Sequence, residues 1–86
     1  MPTDLSREQR EVLEVAAPWL LEDPEELRGY NVEQLRQRLG HRTRRNTYAW
    51  LDRNGIPRVQ TASRRLMISR CELIRFFLRI NNSIRI

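Results

Sequence analysis

Arginine is the residue with chemistry to offer in this chain: the 16 basic residues are all arginine, and no lysine occurs among the 86 residues. A guanidinium is planar, always charged, and carries N–H donors in a fork that matches phosphate oxygens and base edges. The arginines that draw attention fall in Arg42-Thr43-Arg44-Arg45-Asn46, at Arg58, and in Ser63-Arg64-Arg65. The absence of lysine removes Schiff-base and P-loop chemistry. One histidine (His41) and one cysteine (Cys71) cannot build a zinc site. Cys71 has no histidine near it in sequence and reads as an inert thiol. Glu25 and Glu26 are helix-start charges before they are an acid/base pair. The expectation is therefore a protein that is not an enzyme, with no catalytic residues, no cofactor and no metal.

Charge is strongly segregated. Residues 1–33 hold nine acids and three arginines, net −6, whereas residues 34–86 hold 13 arginines against Asp52 and Glu72, net +11. A basic body of this kind is the footprint expected for nucleic-acid binding, because neutralising phosphates releases condensed counterions. On charge alone a solvated surface in an arginine-rich chain is an equally good account. The longest apolar run, Val15 to Leu21, is interrupted by Pro18. That is far short of the ~20 residues a membrane span needs. A single domain in the cytoplasm, in a reducing compartment and with no membrane partner, is expected.

Several elements must position these arginines. Ser6 and Gln9 have the form of a capping box, and Val12, Val15, Ala16, Trp19 and Leu20 recur at helical spacing, so a first helix starts near residue 7 and kinks or ends near Ala17 before Pro18. Asp23-Pro24-Glu25-Glu26 reads as the start of a short turn of helix that Gly29 ends. Asn31 with Gln34 begins a helix carrying Val32, Leu35 and Leu39 inward, stopped by Gly40. Thr43 caps the next, with Thr47, Trp50 and Leu51 inward as far as Asn54. Ile56–Val59 and Leu66–Ile68 read as two strands of a hairpin joined by a polar connection, Pro57 confining the first to an edge. Ser69 with Glu72 opens a last helix, with Leu73, Phe76, Phe77 and Ile80 on its apolar face, ending before Asn81-Asn82-Ser83. Trp19, Trp50, Phe76 and Phe77 read as core.

Tyr30 to Gly40, Arg45-Asn46-Thr47-Tyr48-Ala49-Trp50-Leu51, Gly55-Ile56-Pro57 and Arg64-Arg65-Leu66-Met67-Ile68-Ser69 running into Glu72-Leu73 follow one another at spacings that resemble the phage excisionases, or recombination directionality factors, and the related MerR-type domains. The resemblance covers residues 30–78. It departs from the pattern in a turn after Gly40 that is one residue longer, and in Thr47 where an apolar residue is usual. It implies a mostly α fold with a small β-hairpin wing, a winged helix-turn-helix. Residues 1–29 would be an acidic N-terminal helical extension packed on the core, 30–80 the DNA-binding domain and 81–86 a short C-terminal tail.

It implies further a sequence-specific, double-stranded-DNA-binding architectural protein that directs integrase-mediated excision of a prophage or mobile element. An integrase, or another copy of the protein on adjacent DNA sites, would be its partner. A transcriptional regulator, a terminase DNA-recognition domain and an antirepressor-like interaction module are the competing roles. With Thr47 inward, Arg45, Ala49 and Asp52 lie on the opposite face and Arg44 and Tyr48 flank it. Arg45, Ala49 and Asn46 are then the base contacts, and Thr43 both caps the helix and offers its amide to a phosphate. Ser63, Arg64 and Arg65 form the wing tip, and Arg42 and Arg58 are phosphate contacts. His41 is either a phosphate contact or an exposed bystander, and at most one of Arg36 and Arg38 can face DNA.

Overall fold

The computed structural model describes residues 5–24 and 27–84. Among these, the elements run α1 (Arg7–Ala16), α2 (Trp19–Glu22), β1 (Gly29–Tyr30), α3 (Val32–Leu39), α4 (Arg44–Arg53), β2 (Val59–Gln60), β3 (Leu66–Ser69) and α5 (Arg70–Ile84). The chain is mostly helical, with a small antiparallel sheet of order β1-β3-β2. No helix among the described residues is long and apolar enough to cross a membrane.

Helix α1 starts where its capping box places it. The Ser6 hydroxyl accepts the Gln9 N–H at 3.1 Å and the Gln9 side chain accepts the Ser6 N–H at 3.0 Å. Pro18 has no N–H to give Glu14 and forbids helical backbone at the residue before it, so Ala17 turns out at φ −155°, ψ 70° and α2 sets off in a new direction. The buried stripe is Leu13, Ala17 and Leu20, with Val12, Ala16 and Trp19 on its flanks. Val15, expected inside, is 88% exposed. It stands 200° from Leu13 around α1, and the larger leucine takes the place against α5.

Gly29 does not end a helix. The Leu27 N–H donates to the Pro24 carbonyl at 3.0 Å, and Leu27 and Arg28 are not helical. Glu25 and Glu26, expected at a helix start, lie outside the described residues. Gly29 pairs with Ser69 and Tyr30 with Ile68 in a strand absent from the sequence reading. Glycine is required by proximity here, since a Cβ at position 29 would stand 2.9 Å from the Ile68 carbonyl oxygen. Strand β1 therefore straddles the position expected to separate the acidic extension from the remainder.

Three further links tie the two together. The Tyr30 hydroxyl donates to Asp23 at 2.8 Å, Arg38 reaches the other Asp23 oxygen at 2.6 Å, and the Arg70 guanidinium donates to the carbonyls of Leu20 and Pro24. Burial, reinforced by the bond to Asp23, raises the Tyr30 phenol above its ordinary range.

Helix α3 has a complete capping box, with Gln34 N–H donating to Asn31 at 2.7 Å, and stops at Gly40 in the left-handed region at φ 74°. The hairpin pairs Val59 with Met67 and Gln60 with Leu66. Its first strand is shorter than expected: Ile56 is buried beneath α4's end and Pro57 precedes the pairing, leaving β2 an edge strand. Ser69 belongs to β3, and α5 follows it directly. That helix does not stop before Asn81 but continues to Ile84. Neither Gly nor Pro interrupts residues 81–84, and the Asn81 amide donates to the Phe77 carbonyl at 2.8 Å, so nothing local ends the helix.

Leu13, Ala17 and Leu20 meet Tyr30, Leu35, Leu51, Ile56, Ile68 and the α5 residues Leu73, Ile74, Phe76 and Phe77 in one core. Helix α1 thus packs within the chain. Trp19 packs edge-on to Tyr30 at 5.4 Å, and Trp50 edge-on to Phe76 at 5.3 Å. This edge-to-face geometry is one that aromatic quadrupoles favour.

Candidate nucleic-acid interface

Helix α4 carries most of the residues singled out by sequence, and its orientation is set by what it buries. Thr47 and Leu51 are inaccessible to solvent, which turns Arg45, Ala49 and Asp52 outward. Arg42, Thr43, Arg44 and Asn46 are exposed as well, and Tyr48 is half-buried. The Thr43 hydroxyl accepts the Asn46 N–H at 3.1 Å, so the cap is formed.

The junction between α3 and α4 is held by a chain of polar contacts. Arg36 grips the Glu33 carboxylate through Nε at 2.9 Å and a terminal nitrogen at 2.5 Å, and its other terminal nitrogen donates to the His41 carbonyl at 3.0 Å. Gln37 adds a donor to the same carboxylate at 3.2 Å. From α4, the Arg44 Nε donates at 3.1 Å to Glu33 Oε1, the oxygen that also accepts from the Arg36 Nε. These donors, Arg36 foremost and then Arg44, hold the Glu33 carboxyl down to about 2. The His41 ring points inward, with Nδ1 2.9 Å from the Thr47 hydroxyl and its plane edge-on to Trp50. It is thus a partner for a buried hydroxyl and not an exposed bystander in the turn. Arg36 is taken up at the junction and Arg38 by Asp23.

Arg58, at the entrance to the hairpin, lies with its guanidinium 5.2 Å above the Tyr48 ring and donates to Asp52 at 2.6 Å. It fastens the base of the hairpin to the exposed side of α4. The hairpin tip is closed by the Arg64 N–H on the Thr61 carbonyl at 2.9 Å and the Thr61 N–H on the Arg65 carbonyl at 2.9 Å. Arg64 takes φ 63°, the left-handed conformation that glycine or asparagine adopts at low cost and arginine does not. Ser63 shares a hydrogen bond with Thr61 at 3.0 Å. No side-chain bond or ring contact joins Ser63, Arg64 or Arg65 to α4, so the fold brings Arg58 and Tyr48 together but leaves the tip arginines in solvent.

Among the described residues, Arg42, Arg45, Arg53, Arg64 and Arg65 have no carboxylate partner, as have Arg10 and Arg28 elsewhere. The described acids without a cationic partner, Glu8, Glu14 and Glu22, are all on α1 and α2. Within residues 34–86 the two acids, Asp52 and Glu72, are each paired with a nearby arginine.

Sequence reasoning did not pick out Glu33 and Asp52 as partners of interface arginines. The i, i+3 spacing of Glu33 and Arg36 was a usable local signal. The approach of Arg44, eleven residues further on, needed the turn geometry. No family model matches the chain, and comparisons with curated proteins and with solved structures find no match.

Proposed function

We propose that the protein is a sequence-specific, double-stranded-DNA-binding protein with winged helix-turn-helix architecture: α3 and α4 form the helix-turn-helix, α4 is the recognition helix, and the β2-β3 hairpin is the wing. The observation that supports this reading is the set of arginines without carboxylate partners on the turn, on α4 and at the hairpin tip, while among the described residues the acids without partners sit on α1 and α2. A recognition helix reads base edges with its N-terminal residues. Here those residues are Arg44, Arg45 and Asn46, all exposed. Arg45 bonds a base and Ala49 leaves room for the groove floor. Arg42 and the Thr43 amide hold phosphates, Arg58 braces the base of the hairpin through Asp52 and Tyr48, and Arg64 and Arg65 grip the duplex from the wing.

In the cell this protein acts as an architectural factor of the excisionase kind, binding adjacent sites, bending the DNA and engaging an integrase or a neighbouring copy. The motif resemblance over residues 30–78 supports this role. Small domains that bind side by side add avidity to modest single-site affinity.

The test is gel-shift titration of duplex DNA over a range of salt, with footprinting on the DNA neighbouring the gene. Binding whose logarithm falls with log salt at about −0.9 per phosphate contact is expected. Several adjacent protected sites beside an integrase attachment site support the excisionase role. One palindrome over a promoter makes it a transcriptional regulator, and absence of protection makes the chain a protein-interaction module.

A further inference from the structure

Arg44 is held at one edge of its guanidinium only. Its Nε donates to Glu33 at 3.1 Å, while the side chain is 65% exposed. Bonding through Nε leaves the two terminal nitrogens without a protein partner, at the first position of α4. The anchor beneath it is itself rigid. Glu33 lies in the first turn of α3, its carboxylate is gripped on both oxygens by Arg36, and Arg36 is fixed in turn to the His41 carbonyl. A free arginine loses considerable rotamer entropy when it forms a directed pair of hydrogen bonds. One already pinned at Nε by a carboxylate has lost much of that freedom before a ligand arrives.

We propose that Glu33 is a positioning residue for sequence readout: it holds the Arg44 guanidinium so that its two terminal nitrogens meet the O6 and N7 acceptors of a guanine in the major groove. This rests on the DNA-binding reading and adds to it a base, a reader and the acid that aims the reader. Guanine is favoured over phosphate for two reasons. Its two acceptors match the terminal fork bidentately. In addition, a carboxylate placed directly behind an arginine weakens a purely coulombic grip on a phosphate, so it is a poor design for a backbone contact. Arg42, without any acid beside it, is the better phosphate-type cation of this surface.

The test is selection from a duplex library with a randomised core, run on the full chain as wild type, Glu33→Ala, Glu33→Gln, Arg44→Ala and Arg44→Lys, with circular dichroism melting as the check on folding. Wild type should prefer a G·C pair at one position. Arg44→Ala and Arg44→Lys should both lose that preference, by about tenfold. Arg44→Lys, which keeps the charge, should lose much more of the base preference than of the affinity for random DNA. Glu33→Ala should lose the same preference at the same base pair while binding random duplex as tightly as wild type or more so. Glu33→Gln, which retains an acceptor for the Arg44 Nε, should recover most of the preference. If Glu33→Ala keeps the wild-type base profile, or if the Arg44 variants weaken all sequences alike, the positioning role is overturned while DNA binding stands. If the wild type selects no duplex at any salt, the DNA-binding reading itself has failed.

Discussion

The Nδ1 of His41 stands 2.9 Å from the Oγ1 of Thr47, a hydroxyl wholly removed from solvent. The pair explains two features together. A threonine occupies a core position of α4, and the turn before α4 supplies the ring that satisfies it. A buried hydroxyl left without a partner costs about 1–3 kcal/mol. His41→Ala should destabilise the protein by that order. Thr47→Val, which removes the hydroxyl at nearly constant shape, should recover part of the loss in the double variant. Urea unfolding of the four proteins of the cycle measures the coupling, and strictly additive effects would show that the contact contributes nothing.

Leu13 and Val15 make a second comparison on one helix. Leu13 is fully buried and Val15 is 88% exposed. Leu13→Ala should cost about 2–5 kcal/mol through lost burial and the cavity left behind. Val15→Ala should stay within about 0.5 kcal/mol. Equal losses at the two sites would mean that α1 does not pack on α5 through this face.

Arg64 combines a left-handed backbone with a position at the hairpin tip. Arg64→Gly should relieve about 1 kcal/mol of backbone strain, so the variant should melt no lower than wild type. Duplex affinity at low salt should nonetheless fall, and the salt slope should become shallower by about one contact. A variant that binds DNA as wild type does would remove Arg64 from the interface.

Glu33 governs a pH dependence. Its folded-state pKa lies near 2, below the ordinary carboxylate value of 4.5, because Arg36 and Arg44 bond the charged form. A depressed carboxyl contributes stability that is fully present above the unfolded value and is lost as pH falls through the folded one. The Glu33 contribution should therefore persist down to about pH 4.5 and disappear towards pH 2. The measurement is an NMR titration of the Glu33 carboxyl, together with unfolding of wild type and Glu33→Gln over this range. A midpoint at the ordinary value would break the network as described.

What the sequence by itself determined is whatever closes within about four residues. The capping boxes of Ser6 with Gln9 and Asn31 with Gln34, the Thr43 cap and the left-handed Gly40 are all formed where the residue types place them. Each satisfies an orphan backbone donor or carbonyl of its own helix end and needs no distant partner. The break at Pro18 and the exposed face of α4 follow equally from local covalent and helical geometry. Tertiary structure decided the rest. Two residues, Gly29 and Tyr30, form a strand only because Ser69 and Ile68 arrive opposite them. Whether Leu13 or Val15 faced inward depended on where α5 lies, since their neighbours along α1 admit either phase. The inward turn of His41, the reach of Arg44 to Glu33 and the stacking of Arg58 on Tyr48 bridge six to eleven residues or separate elements. The residue types were in plain view, but contacts of this range form only once packing has fixed the direction of each helix, because ordering long side chains costs entropy that local sequence cannot repay alone.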